Sequence, residues 1–129
     1  MTTELYYLGL VALATGLMWM PAGLNLTLEQ GFMVGLGNRD NVKPLASWAE
    51  RARRAHANAV ENLVVFAALV LAAHAAGVTN STTAWAAIIY FWMRIAHFVT
   101  YALGIIGVRT AVWAIAWLCQ LAIAAQILL

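Results

Sequence analysis

Apolar and polar positions alternate along this chain in long blocks rather than residue by residue. Four mostly apolar stretches, at about residues 3–28, 47–76, 83–103 and 110–129, are separated by segments rich in turn-forming and polar residues. Each stretch reaches the roughly 20 residues that a helix needs to cross a bilayer. Strand-like alternation with regular turns is absent, which argues against a membrane barrel. The pattern predicts an all-α membrane protein, with a four-transmembrane-helix bundle that forms a single domain over residues 1–129.

Local signals predict several helix boundaries. Pro21 lies in the last third of the first stretch and is expected to kink that helix. Ser47, followed three residues later by Glu50, is a capping-box pattern and predicts a helix start at Ser47. Gly77 predicts the C-terminal cap of the same helix. The N-terminal run lacks the basic segment and cleavage site of a secretory signal, so it is expected to remain as a helix.

Composition agrees with a membrane location and excludes several functions. Of 129 residues, 64% are hydrophobic and 9% are charged, whereas a soluble domain carries about 25% charged residues. The net charge of +2 is small and the seven basic residues form no free arm, so no nucleic-acid partner is expected. The single cysteine, Cys119, cannot form an intrachain disulfide. The compact length and alanine-rich helices are typical of a bacterial inner-membrane protein.

Basic residues are concentrated at one end of the predicted bundle. Five of them precede or begin the second helix, and Arg109 belongs to the third loop. The loop after Gly77 has none. By the positive-inside rule, the arginine-rich end therefore faces the cytoplasm.

Charged and amide side chains are most frequent in the segment Ser47–Phe66, which runs directly into the second apolar stretch. At about 100° per residue, one helical face carries Arg51, Arg54, Asn58, Glu61 and Asn62. Such groups are costly in a bilayer and usually face a protein interior or a water-filled cavity. We therefore interpret this polar stripe as the functional site.

A second polar stripe lies on the third predicted helix. Tyr90, Arg94, His97 and Tyr101 recur at spacings of four, three and four residues, which places them on one face. Arg109, after the next turn, is within reach of the same end of the membrane. Guanidinium, carboxylate, amide and phenol groups together suit a small peptide-like ligand with several charges. The histidines are too widely spaced to suggest a metal site.

The two stripes resemble the signatures of one family. The pattern E-R-A-x-R-A-H-x-N-x-x-E-N-L-x-x-F at residues 50–66, with R-x-x-H-x-x-x-Y in the third helix, resembles the MAPEG family, the membrane-associated proteins of eicosanoid and glutathione metabolism. The resemblance extends over the whole chain in length and helix count. It implies a four-helix homotrimer that binds glutathione between neighbouring subunits, near the cytoplasmic side of the membrane.

The resemblance also implies roles for individual residues. The residues that match glutathione-contacting or site-bracing positions are Arg51, Arg54, Asn58, Glu61, Arg94, His97, Tyr101 and Thr110. Arg109 matches the arginine placed at the glutathione sulfur, where a guanidinium favours the thiolate. The thiolate would attack a hydrophobic small molecule that is electrophilic, or reduce a hydroperoxide. Glutathione is the co-substrate, so no protein nucleophile is required.

This chain also departs from the family pattern. Several eicosanoid-forming members carry an arginine late in helix one, where this chain has Gln30; Ala57 and Trp113 replace an arginine and a tyrosine of some members. A specific eicosanoid synthase is therefore not expected. Two alternatives stay open: a non-catalytic membrane binding or scaffold protein of the same fold, and a small proton-coupled multidrug exporter that uses Glu61. The arginine and asparagine neighbours of Glu61 favour its ionised form, which counts against transport.

Overall fold

Six helices make up most of the computed structural model, which describes all residues from 1 to 129. They are α1 (Thr3–Leu17), α2 (Met20–Gln30), α3 (Phe32–Leu36), α4 (Ser47–Ala75), α5 (Ser81–Leu103) and α6 (Ile106–Leu128). Four segments are long and apolar enough to cross a membrane, namely Thr3–Gln30, which joins α1 and α2, and the helices α4, α5 and α6. The chain is an integral, multi-pass membrane protein, and the predicted all-α fold with four spanning helices is confirmed.

The first span is interrupted rather than continuous. α1 ends at Leu17, and a turn at Met18 and Trp19 precedes α2. Pro21 lies in the first turn of α2. Because proline has no N–H, the backbone bond that would reach back to Leu17 in a continuous helix cannot form. The kink expected at Pro21 is therefore a break, and it lies just before the proline.

The start of α4 differs from the predicted capping box. Ser47 is already the first helical residue; the cap position is Ala46, and no side chain caps the helix. The Glu50 carboxylate instead accepts hydrogen bonds from Arg53, one turn further along the helix. The helix starts where expected, but the predicted pair of capping bonds does not form.

Glycines with left-handed backbone geometry follow the ends of α4 and α5. Gly77 has a φ of +70° and Gly104 a φ of +78°. After Gly104 the chain closes back on α5, and the Ile105 N–H donates to the carbonyl of Thr100 at 2.9 Å. The turn is so short that α6 begins at Ile106, earlier than the start expected near residue 110.

α4 and α5 form the centre of the bundle, because each of them packs against the other three spans. Phe66 of α4 and Tyr90 of α5 are fully buried, and their rings stack with centroids 3.9 Å apart. Towards its N-terminal end α4 buries only small side chains, which let helices approach closely in membrane bundles. These residues are Ala49, Ala52, Ala55 and Ala59.

A buried polar contact joins the N-terminal ends of α1 and α5. The hydroxyl of Thr83 donates to the Glu4 carboxylate at 2.5 Å, and both residues are buried. Thr83 also forms a reciprocal capping box with Asn80, whose side chain donates to Gln126 of α6 at 2.8 Å. These contacts fasten the end of the bundle that lies opposite the arginine-rich end.

Candidate functional site

An amide of α4 and a guanidinium of α5 meet inside the bundle. Arg94 is only 3% exposed, and its Nη2 donates to Asn58 Oδ1 at 2.7 Å. One turn further along α4, the side-chain amide of Asn62 donates to the carbonyl and to Oδ1 of Asn58, at 2.9 and 3.3 Å. The two predicted polar stripes therefore meet directly through Asn58 and Arg94.

Arg94 and His97 keep buried polar atoms without a partner in the chain. These atoms are Nε and Nη1 of Arg94 and Nδ1 of His97. Arg94 also forms no ion pair, since the two ion pairs of the chain both involve Glu50. A buried guanidinium without a carboxylate partner is energetically costly. Its charge makes the interior of the site favourable for an anionic group.

Arg109 lies over an aromatic ring of α5. Its Cζ is 4.4 Å from the centroid of the Tyr101 ring, within the range of a cation–π interaction. The Tyr101 ring in turn meets the His97 ring edge to face, with centroids 5.6 Å apart. Arg94 lies three residues before His97 on the same face of α5. The four side chains therefore follow one another from the buried interior to the partly exposed Arg109 at the start of α6.

Arg51 ties two helices together at the same end. Its Nε donates to the carbonyl of Ala102 at 3.0 Å. Its guanidinium also lies against Gly104, where an added Cβ would be 3.4 Å from Cζ. Arg51 therefore links the beginning of α4 to the end of α5, and this is a structural role within one chain.

Three of the predicted site residues lie outside this cluster. Arg54, Glu61 and Thr110 are exposed. Arg54 is 4.0 Å from the Glu50 carboxylate, and the hydroxyl of Thr110 donates to the carbonyl of Ile106 at 3.3 Å. Glu61 forms no ion pair in the chain, so the arginine expected to favour its ionised form does not contact it. A single chain therefore assembles only part of the predicted set.

Gln120 of α6 extends the polar network and was not among the predicted site residues. The residue is buried; its Nε2 donates to the carbonyl of Asn62 at 3.2 Å and lies 3.5 Å from the hydroxyl of Tyr90. Hydrogen bonds therefore connect Arg94, through Asn58 and Asn62, to the middle of α6. The available signal was a glutamine in the middle of an apolar span, because such residues usually bond to a neighbouring helix.

The fold and the site define an integral membrane protein of four spans, with arginine, amide and aromatic side chains gathered at one end of the bundle. The model of the MAPEG family matches residues 5–129, and the chain belongs to that family. No curated protein and no solved structure matches the chain. Family membership supports a membrane function related to glutathione, of the transferase or peroxidase type in general.

Proposed function

We propose that this protein is a glutathione-dependent transferase or peroxidase of the membrane that acts on hydrophobic electrophiles. The observation that carries the proposal is the row of side chains from the buried Arg94, through His97 and Tyr101, to Arg109. This row offers positive charge both inside the bundle and at its edge. Membership of the MAPEG family supports glutathione as the co-substrate.

The polar groups of the site match the functional groups of glutathione. Guanidinium groups bind carboxylates, and side-chain amides bind peptide groups. In the proposed complex, Arg51, Arg54 and Arg94 attract the two carboxylates, Asn58 contacts the peptide backbone and Glu61 holds the amino group. Arg51 keeps its η nitrogens for this purpose, since only Nε bonds within the chain.

The exposed members of the set support a site that is completed between subunits. Arg54 and Glu61 lie on a membrane-spanning helix, yet both are exposed in the single chain. Charged groups at such positions are costly unless they face protein or a water-filled cavity. We therefore propose a homotrimer, as the family resemblance implies, in which a neighbouring subunit covers this face of α4.

The chemical step depends on the charge of Arg109. A thiol with a reference pKa of about 8.5 is mostly protonated at neutral pH. A guanidinium beside the sulfur favours the thiolate, and more strongly where water is excluded. The thiolate then attacks an electrophilic carbon, forms the C–S bond and displaces the leaving group. Thr110, next to Arg109, becomes a further hydroxyl donor if its hydroxyl turns away from the Ile106 carbonyl, to which it donates at 3.3 Å.

The same thiolate explains a peroxidase activity. It attacks one oxygen of a hydroperoxide, the O–O bond breaks, and the products are an alcohol and glutathione sulfenic acid. A second glutathione converts the sulfenic acid to glutathione disulfide and water. Hydrophobic substrates reach the site from the lipid. The concentration of basic residues supports a site that faces the cytoplasm, and we propose a bacterial inner membrane as its location.

The proposal is tested by titrating the purified protein with glutathione and following the ultraviolet absorbance of the thiolate. Conjugation of a halogenated nitrobenzene and reduction of an organic hydroperoxide are measured in parallel. Arg109→Ala is expected to remove the thiolate signal and to lower the conjugation rate by about 10²-fold, and Arg109→Lys to retain part of both. The control is His74→Ala, an exposed residue in the last turn of α4.

Each result has a distinct meaning. An Arg109→Ala variant that keeps the thiolate signal and the conjugation rate would overturn the assignment of Arg109. Glutathione binding without turnover of either substrate would favour a non-catalytic binding protein of the same fold. Light scattering of the detergent-solubilised protein is expected to give the mass of three chains, and a monomer would contradict the shared site.

A further inference from the structure

A cleft lies at the arginine-rich end of the bundle, between α2, the segment before α4 and Arg53. It consists of two adjoining cavities of about 380 and 160 Å³, which share several lining residues. We refer to it as the loop cleft. The lining residues that matter here are Trp19, Leu26, Arg39, Lys43, Leu45 and Arg53. None of them belongs to the proposed glutathione site.

The loop cleft is positively charged. Its lining includes three cations and one carboxylate, Glu50, which pairs with Arg53. Arg39 and Lys43 have no carboxylate partner, since both ion pairs of the chain involve Glu50. Arg39 uses its Nε to bond the carbonyl of Gly35 at 3.0 Å, and the Lys43 ammonium has no partner. Two cations are therefore free to bind an anion.

Two side-chain amides of α2 bond to the backbone of the segment that lines the loop cleft. Gln30 donates to the carbonyl of Lys43 at 2.8 Å and accepts from the N–H of Lys43 at 2.9 Å. Asn25 accepts from the N–H of Ala46 at 3.3 Å. These bonds fasten the segment that carries Lys43 to α2. Gln30 therefore positions the loop that carries Lys43.

The short helix α3 indicates the depth of the loop cleft in the membrane. α3 has no buried residue, and Phe32, Met33 and Leu36 are between 64% and 76% exposed. Exposed apolar side chains beside a membrane-spanning helix are typical of a segment that lies in the membrane interface. Arg39 follows α3 closely and is therefore placed at the level of the lipid headgroups.

The apolar part of the loop cleft continues from this level along α2. Trp19 and Leu26 are seven residues apart, which is roughly 10 Å along a helix. Leu26 is buried at the floor of the cleft, whereas Trp19 is 56% exposed. The cleft thus combines a cationic end at the membrane surface with an apolar end, formed by the Trp19 ring, that lies deeper in the bilayer. A soluble anion would leave the apolar end unused, and a zwitterionic lipid would not neutralise the two cations.

We propose that the loop cleft binds an anionic phospholipid of the surrounding leaflet. Its phosphate contacts Arg39 and Lys43, and one acyl chain lies along α2 between Leu26 and Trp19. Basic residues at this depth attract anionic lipids. The lipid joins α2, the loop and α4 on the side of α4 that carries Arg53.

The test is native mass spectrometry of protein reconstituted in bilayers with equal amounts of phosphatidylglycerol and phosphatidylcholine and then extracted in mild detergent. The wild type is expected to retain phosphatidylglycerol with about tenfold preference. The double variant Arg39→Gln with Lys43→Gln loses this preference, and the charge-conserving double variant Arg39→Lys with Lys43→Arg keeps it. Asn41→Ala, in the same loop but outside the cleft lining, is the control.

Equal retention of both lipids by the wild type, or an unchanged preference in the double glutamine variant, would overturn the proposal. Displacement of the lipid by soluble glycerol phosphate would also overturn it, because the cations would then bind a free phosphate ester. Thermal unfolding in detergent verifies that the glutamine variant is folded. No glutathione is present, so the result does not depend on the proposed enzymatic function.

Discussion

The guanidinium of Arg109 and the ring of Tyr101 form a cation–π pair across the turn between α5 and α6, with Cζ 4.4 Å from the ring centroid. Only Gly104 and Ile105 separate the two helices, so the last turn of α5 lies beside the first turn of α6. The cation–π contact therefore favours a guanidinium that lies over the Tyr101 ring. We infer that Tyr101 positions the arginine proposed to meet the glutathione sulfur.

The first prediction compares two substitutions of Tyr101. Tyr101→Phe keeps the aromatic face and is expected to leave the thiolate signal of bound glutathione close to that of the wild type. Tyr101→Leu removes a cation–π interaction of about 0.5–1 kcal/mol, so the conjugation rate at low glutathione should fall by a factor of roughly 2–5. Both are measured with the glutathione titration. Equal loss in both variants would instead assign the role to the phenol hydroxyl.

The second prediction concerns the bond between Asn58 and Arg94. The double-mutant cycle consists of Asn58→Leu, Arg94→Met and the double variant, each measured by denaturant unfolding in mixed micelles. Asn58→Leu leaves the buried Arg94 guanidinium without its only hydrogen-bond partner in the chain, which costs about 1–3 kcal/mol. Arg94→Met removes the 2.7 Å bond and leaves the half-buried Asn58 Oδ1 with only the 3.3 Å bond from Asn62. The loss of unfolding free energy in the double variant is expected to be smaller than the sum of the two single losses. The difference should be about 1–3 kcal/mol.

A matched pair of distant residues provides the control for that cycle. Asn58→Leu combined with Gln126→Leu, at the opposite end of the bundle, should be additive within about 0.5 kcal/mol. Additive effects for Asn58 and Arg94 would mean that their 2.7 Å hydrogen bond contributes nothing to stability.

The four spans could be predicted because the thickness of the bilayer sets the length of an apolar helix. The details of the boundaries could not be predicted in the same way. Pro21 predicts that the helix is interrupted, but it does not predict whether the helix bends or breaks. In the structure the helix breaks at Met18 and Trp19. The capping box at Ser47 does not form because the helix begins one residue earlier than the pattern requires, with Ala46 at the cap position. Glu50 pairs with Arg53 instead.

The polar stripes could be predicted from the sequence for two reasons. Charged groups are rare in a membrane-spanning helix, and their helical spacing places them on one face. Periodicity predicts which side chains share a face of one helix, but it does not predict which other helix packs against that face. The contact between Asn58 and Arg94 was therefore visible only in the structure. The contact of Gln120 with α4 could not be predicted, because no pattern around Gln120 indicates its partner helix. The exposure of Glu61 could not be predicted either, because the sequence pattern places Glu61 on the same stripe as Asn58.

The third prediction distinguishes glutathione binding from proton-coupled transport. Glu61 is exposed on α4 and has no ion pair within the chain. If its carboxylate holds the amino group of glutathione, Glu61→Gln weakens a charge-assisted hydrogen bond of roughly 1.5–3 kcal/mol. The glutathione concentration for half-saturation should then rise by about tenfold or more, with less effect on the rate at saturation.

The measurement is the conjugation rate over a range of glutathione concentrations, repeated with N-acetylated glutathione, which lacks the charged amine. Glu61→Gln should affect the acetylated substrate much less, and Glu29→Gln, an exposed carboxylate of α2, should affect neither. The same proteins in liposomes under a proton gradient are expected to export no cationic dye. Dye efflux that depends on the gradient and disappears in Glu61→Gln would contradict this assignment and favour an exporter, because the carboxylate would then exchange protons rather than bind an amine.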